Sequence, residues 1–303
     1  MVKNNVLKGV FLVGLGAASY GMLATFVKLA YGEGYTTAEV TCSQFILGII
    51  GILIINAFQK VRKGNTVVKA SRTDITQLMV AGTSLGLTSL FYYLAVKYIP
   101  VSIGIVLLMQ TVWMGVILET LLTKVMPSAR KIIAVVIVLI GTALATNLID
   151  TSVKLDWRGL MWGMLAASSF TATMFTSSRI ATHLSSAQRS LYMLLGGAVI
   201  ILCFAIYSWN GTFDVSIFLK WGIVLSVFGT ILPPMLLTAG FPHTGIGLGS
   251  IVASLELPVS VVMAYVLLHE TVNAFQWMGI VLIIAAIVIM NLSKRGAAEG
   301  QIH

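Results

Sequence analysis

The sequence predicts an all-α polytopic membrane protein, with ten transmembrane helices in two inverted-topology five-helix repeats. Three observations carry this. The 303 residues are 58% hydrophobic and 10% charged, with a mean hydropathy of +0.97, whereas a water-soluble chain needs roughly a quarter charged residues. Apolar runs of about 20 residues, the length that crosses roughly 30 Å of hydrocarbon as a helix, follow one another along the chain. The opening runs of its two halves also align without gaps.

The first span, residues 9–27, starts after Lys8, and no small-residue cleavage site follows it, so it reads as retained. The next are residues 40–58, 75–96, 101–122, 132–149, 159–178, 190–207 and 221–240. Pro242 and His243, between Gly240 and Gly245, break the long uncharged stretch after Lys220. Residues 245–268 and 272–292 complete the ten. Barrel strands would be about ten residues long with alternating polarity, which these runs lack.

The charge of +9, from 19 Lys and Arg against 10 Asp and Glu, does not point to nucleic acid, because the basic residues lie between the spans. They report orientation instead. One side of the predicted membrane holds fourteen of them, including Lys3, Lys8, Lys60, Arg62, Lys131 and Arg189; the other holds Lys28, Lys97, Lys154, Arg158 and Lys220. That asymmetry predicts that both termini are cytoplasmic, and the expected location is the inner (plasma) membrane, as a multi-pass protein. Trp157, Trp209, Trp221 and Trp277 fall at span ends on the outer side, as an interfacial belt would. Cys42 and Cys203 sit in apolar runs and form no disulfide framework.

Gly9, Leu15, Ala17, Ser19 and Tyr20 align with Gly159, Leu165, Ala167, Ser169 and Phe170, each 150 positions later. The halves are residues 1–149 and 150–303. Five spans is an odd number, so the second copy is inverted in the membrane, the build of carriers whose halves move about a site near the midplane.

Ser19-Tyr20-Gly21 with Lys28 closing the first span, Leu255-Glu256-Leu257-Pro258-Val259, Leu267-Leu268-His269-Glu270 and Trp277-x-Gly279 together resemble the drug/metabolite transporter superfamily in its EamA-like branch. His269 stands where that branch has glycine. At an offset of 146, Val112 and Lys124 stand where Pro258 and Glu270 have their counterparts. The resemblance implies a secondary transporter of a small organic metabolite, an amino acid or related compound, moved outward by alternating access.

Glu256 is the one acidic residue near the middle of a predicted span, where an ionised carboxylate costs about 2.5 to 3.5 kcal/mol. It reads either as partner to a substrate amine, as a protonatable group, or as a structural carboxylate bonded to neighbouring helices. It shares a small-residue face with Ser260. At the 146 offset Gln110 is its counterpart, with Trp113 on the same face, and interhelical glue is the other reading of this amide. Ser84, Thr88 and Tyr92 recur every four residues on the third span, and Ser226, Thr230 and Pro233 nearly so on the eighth. The expected cavity-lining set is Glu256, Gln110, Trp113, Tyr92, Thr88, Ser84, Tyr20, Thr230 and Ser260, bounded by the first, third, fourth, sixth, eighth and ninth spans. The second, fifth, seventh and tenth, several of them rich in Ile and Val, are expected at the periphery.

No catalytic group, metal site or cofactor is expected. His269-Glu270-Thr271-Val272-Asn273 offers Asn where a zinc-protease helix has its second His. Gly245-x-Gly-x-Gly249 opens a span instead of following a strand. The expected partners are a small-molecule substrate and the lipid bilayer, without nucleic acid; proton coupling and oligomeric state stay open. An integral membrane enzyme or channel is the alternative, but no polar cluster across several spans and no ring of repeated polar groups supplies it.

Overall fold

The structure, a computed structural model, describes residues 2–63, 68–95, 98–99, 101–146, 156–208, 211–269 and 271–299. Among them every regular element is helical. In chain order these are α1 (Val2–Gly32), α2 (Thr37–Lys63), α3 (Arg72–Ala95), α4 (Val101–Leu108), α5 (Thr111–Thr123), α6 (Ala129–Ala145), α7 (Trp157–Arg179) and α8 (Ser186–Tyr207). Then come α9 (Ile223–Ser226) between the π-helical turns Phe218–Gly222 and Val227–Ile231, α10 (Leu232–Ala253), α11 (Glu256–Leu267) and α12 (Ala274–Glu299). Among the described residues six helical runs are long and apolar enough to cross a membrane, and Ala274–Met290 is a shorter apolar helix. Trp209, Lys97, Lys154 and Glu270 lie outside the described residues.

Local chemistry starts these helices where the chain turns. At α2, Glu39 Oε2 accepts from the Thr36 backbone N–H at 2.7 Å while Thr36 Oγ1 accepts from the Glu39 N–H. Ser185 and Gln188 make the same reciprocal pair at α8. Each satisfies two orphan donors of a helix start. The longest run, Phe218–Leu267, has 50 residues and would span about 75 Å if straight, over twice the hydrocarbon thickness. Gly245 breaks it, with φ 71° and ψ 176°, a backbone open to glycine alone. A second break at Ser254–Leu255 separates α10 from α11, three residues before Pro258, which has no N–H to continue an incoming helix.

Packing crosses between the halves. α1 lies along α10 and α11, while α7 lies along α3, α4 and α5; α3 pairs with α8, α2 with α9 and its flanking turns, and α6 with α12. Glycines set the close approaches. A Cβ at Gly82 would strike the Met193 carbonyl and one at Gly196 the Met79 carbonyl, so α3 and α8 meet backbone to backbone. Ile54, Val136 and Val281 are exposed on α2, α6 and α12, faces that suit lipid.

The two ends of the molecule carry matching contacts. At one end Glu39, at the start of α2, accepts from the Asp214 N–H at 2.6 Å, four residues before the first π turn. At the other Gln188, at the start of α8, donates to the Val68 carbonyl at 2.9 Å, four residues before α3. Glu33 and Lys220 pair at 3.6 Å at the first end, and His183 and Asp74 at 3.4 Å at the second. Arg189, only 2% exposed, donates from Nε to the Ile180 carbonyl at 3.0 Å and from its terminal nitrogens to the Ser177 and Thr238 carbonyls. It thereby joins α8, the end of α7 and α10.

The structure corrects the 146 offset. α4 starts at Val101 and breaks at Met109–Gln110; the chain restarts after Gly245 and breaks at Ser254–Leu255. Lys124 and His269 both take left-handed backbone, φ 55° and 54°. All three markers lie 145 positions apart, so Glu256 matches Thr111, and Gln110 matches Leu255. A helix break conserves geometry, not residue type, and the residue-based alignment slipped by one.

Candidate functional site

The break before α11 makes Glu256 the first residue of a new helix. Its carboxylate thus sits at a helix N-terminus, where free N–H groups and the helix dipole favour negative charge. Gly21 allows this placement, because a Cβ there would strike the Glu256 carbonyl and lie 2.9 Å from Val259 Cβ. The aromatic-glycine pair of α1 therefore serves contact with α11 and brings Tyr20 beside Glu256.

Glu256 opens onto a cavity of about 290 Å³ between α1, α2, α3, α4, α11 and the Val227–Ile231 turn. Tyr20 and Tyr92 are within electrostatic reach of its carboxylate. The cavity runs from Glu256 past Tyr92 and Tyr93 to Lys28 and Tyr31, both exposed at the far end of α1. A second hollow of about 330 Å³ shares Lys28 and Ser260 with it and continues toward α6 and α12. No side chain among the described residues forms an ion pair or hydrogen bond with Glu256.

Pro233 and Pro234 shape the opposite wall. They remove the donors that would bind the Gly229 and Thr230 carbonyls in a regular helix, and the backbone there widens into the Val227–Ile231 π turn, a distortion frequent at functional sites. Gly229 and Thr230 line the cavity. The Thr230 hydroxyl donates to the Gln44 carbonyl at 2.9 Å, fixing this wall to α2.

Six of the nine residues expected from sequence meet here: Tyr20, Thr88, Tyr92, Thr230, Glu256 and Ser260. Three do not. Trp113 Nε1 donates to Gln110 Oε1 at 2.8 Å, and Gln110 Nε2 donates to the Val106 carbonyl at 3.0 Å. The amide thus serves a carbonyl freed by the α4–α5 break, and both bonds stay within residues 106–113 instead of bridging to another span. Ser84 and Thr173 share a hydrogen bond of 2.7 Å between α3 and α7, beside a separate groove.

The helix assignment changes with them. The second span, expected at the periphery, brings Gln44 and Phe45 to the cavity; the sixth, α7, brings none of its described residues. On α7, Ser168, Thr171, Thr173, Thr176 and Ser178 donate to carbonyls of α7 itself, and Ser169 donates to the Ser84 carbonyl of α3 at 2.9 Å. Gln44 carried the missed signal: with Thr41 and Ser43 it makes a polar cluster at the start of the largely apolar second span.

Among the described residues no group of His, Cys, Asp and Glu is arranged to hold a metal ion. A search of curated proteins finds no match. Among solved structures, one described as "Crystal structure of protein" aligns with a TM-score of 0.73 at 14% identity, covering 91% of this chain and 97% of that one; at that identity the likeness speaks for the fold alone. The profile described as the EamA-like transporter family matches residues 7–147 and again residues 157–292. Both copies of the helical unit are thus accounted for, and the chain belongs to the EamA-like transporter family.

Proposed function

We propose that this multi-pass membrane protein is a ten-span carrier of two inverted halves, residues 1–149 and 150–303, that exports a small organic cation or zwitterion by alternating access. The observation that carries this reading is the correspondence of the two ends. Glu39 with Asp214 and Glu33 with Lys220 at one end repeat as Gln188 with Val68 and Asp74 with His183 at the other. The cavity nevertheless reaches exposed residues at the Glu33 end alone. Two equivalent ends in unequal states are what a carrier caught on one side of its cycle presents.

We place the chain in the inner (plasma) membrane, and the basic asymmetry supports cytoplasmic termini and an outward-facing cavity. The unpaired Glu256 carboxylate, with Tyr20 and Tyr92 near it, favours a solute with an ammonium group and an apolar or aromatic body, such as an amino acid or related compound. Proton coupling is consistent with a carboxylate in this position. The chain works without catalysis, metal or cofactor.

Purified protein in liposomes should give saturable flux that is accelerated by the same solute on the far side. Glu256→Gln, which keeps shape and removes charge, should lower that flux at least tenfold while the protein stays folded. Wild-type flux by well-folded Glu256→Gln would remove the carboxylate from the site.

A further inference from the structure

The two ends of the molecule differ at one pair of equivalent helices. α5 packs on the part of α10 that restarts after Gly245: Ser250 donates to the Val112 carbonyl at 3.2 Å, and a Cβ at Gly115 would lie 2.8 Å from the Ser250 hydroxyl. Shifted by 145 positions, the equivalents of α5 and this restarted segment are α11 and α4. Between those two lies the hollow of about 330 Å³, with Ile105 on one side and Ser260, Val261 and Ala264 on the other.

An ion pair occupies the closed end. Glu119 of α5 and Lys131 of α6 bond to each other, with side chains 24% and 20% exposed. Their charged atoms lie on backbone of the other half. A Cβ at Gly247 would strike Glu119 Oε2 and lie 3.0 Å from Lys131 Nζ, and one at Gly245 would lie 2.9 Å from Glu119 Oε1. This is where the helix restarts, and the dipole of a helix start attracts a carboxylate. At the open end Ala264 stands in place of Glu119, and Gln276 in place of Lys131. Caps confirm that register: Ser128 Oγ accepts from the Lys131 N–H at 3.3 Å, as Asn273 Oδ1 does from the Gln276 N–H at 2.9 Å. Gln276 Nε2 donates to the Ala145 carbonyl at 3.2 Å, at the end of α6.

We infer that Glu119, positioned by Lys131, is a latch that holds the cytoplasmic end shut and biases the solute-free carrier toward its outward-open form. This rests on the carrier reading. Opening the cytoplasmic end parts α5 from the restarted helix, as α11 and α4 are parted at the other end. The carboxylate then leaves the helix start it faces, and Ser250 is uncovered, as its equivalent Ile105 is in the outward-open cavity. Closing the outer end brings up only the Ala264 methyl in the same place, so no matching attraction offsets the loss. The two forms of the carrier are therefore unequal in free energy without any solute.

The test reads two single cysteines, Ser250→Cys and Ile105→Cys, in full chains whose Cys42 and Cys203 are replaced by serine. Each is purified in detergent and labelled with a small water-soluble thiol reagent. With Glu119 in place, the cysteine at 105 should label quickly and the one at 250 slowly. Glu119→Ala should speed labelling at 250 roughly tenfold and slow it at 105, because a population shift opens one end at the expense of the other. Lys131→Met should move both rates the same way and by less. If Glu119→Ala folds poorly, Glu119→Gln, of the same size, takes its place. A pair with a merely structural role gives a different pattern, since looser packing speeds labelling at 250 and leaves 105 unchanged. That pattern, or unchanged rates at both positions, overturns the latch and leaves the carrier reading standing. Saturable flux of the same protein in liposomes is measured alongside, and its absence takes down the carrier reading and the latch with it.

Discussion

Replacing Arg189 by Met removes a buried guanidinium while keeping an unbranched side chain in its place. Three carbonyls then lose their donors: Ile180 and Ser177 at the end of α7, and Thr238 on α10. A hydrogen bond from a charged donor is worth about 1.5 to 3 kcal/mol, so the gross loss is roughly 5 to 9 kcal/mol. Against this stands the desolvation of the guanidinium itself, several kcal/mol that the variant no longer bears. The net destabilisation is about 3 kcal/mol, at the low end for breaking a buried charged arrangement. At roughly 2 °C per kcal/mol for a chain of this size, detergent-purified Arg189→Met should unfold about 6 °C below wild type. Arg189→Lys keeps the charge but not the planar fork that serves three acceptors at once, and should recover less than half of the loss. Arg179→Met is the control, because Arg179 is exposed over the Phe175 ring at 5.8 Å. A Tm for Arg189→Met within about 1 °C of wild type, with Arg179→Met behaving alike, would refute the reasoning.

Three further outcomes are expected. His269 is exposed and left-handed at φ 54°, a conformation that disfavours a Cβ by about 1 kcal/mol, so His269→Gly should raise the Tm; a fall would mean that the imidazole holds the turn. Lys220→Glu should leave Tm nearly unchanged, since both partners of the Glu33 pair are substantially exposed, but should alter flux, and Glu33→Lys in the same chain should restore it. Failure of that restoration would remove the pair from the alternating-access cycle. Val61, 85% exposed near the end of α2, replaced by Cys should resist an impermeant thiol reagent in intact cells of a background Cys203→Ser chain, and labelling from outside would invert the topology.

The sequence by itself determined the solvent, the helical class, the order of the apolar runs and the two-fold repetition, because each depends on composition or on spacing along one helix. Few charges exclude water, and about 20 apolar residues between basic loops leave helices as the answer. It also singled out Glu256, whose charge in an apolar run stands out without knowledge of neighbours. Tertiary structure decided which polar residues face one another. Gln110 and Trp113 satisfy each other across one turn, most of the α7 hydroxyls bond their own backbone while Ser169 bonds α3, and Gln44 Oε1 remains without a partner; these differences arise from rotamers and helix rotation that spacing does not encode. It also fixed the register of α4 and α5 against the chain from Gly245 to His269 at 145, because that register follows helix breaks and left-handed turns. Pro258 announces one break in the sequence, whereas the break before Thr111 has no proline to announce it and is visible only in the structure, where α4 packs on α7 and α5 on α10 and α7.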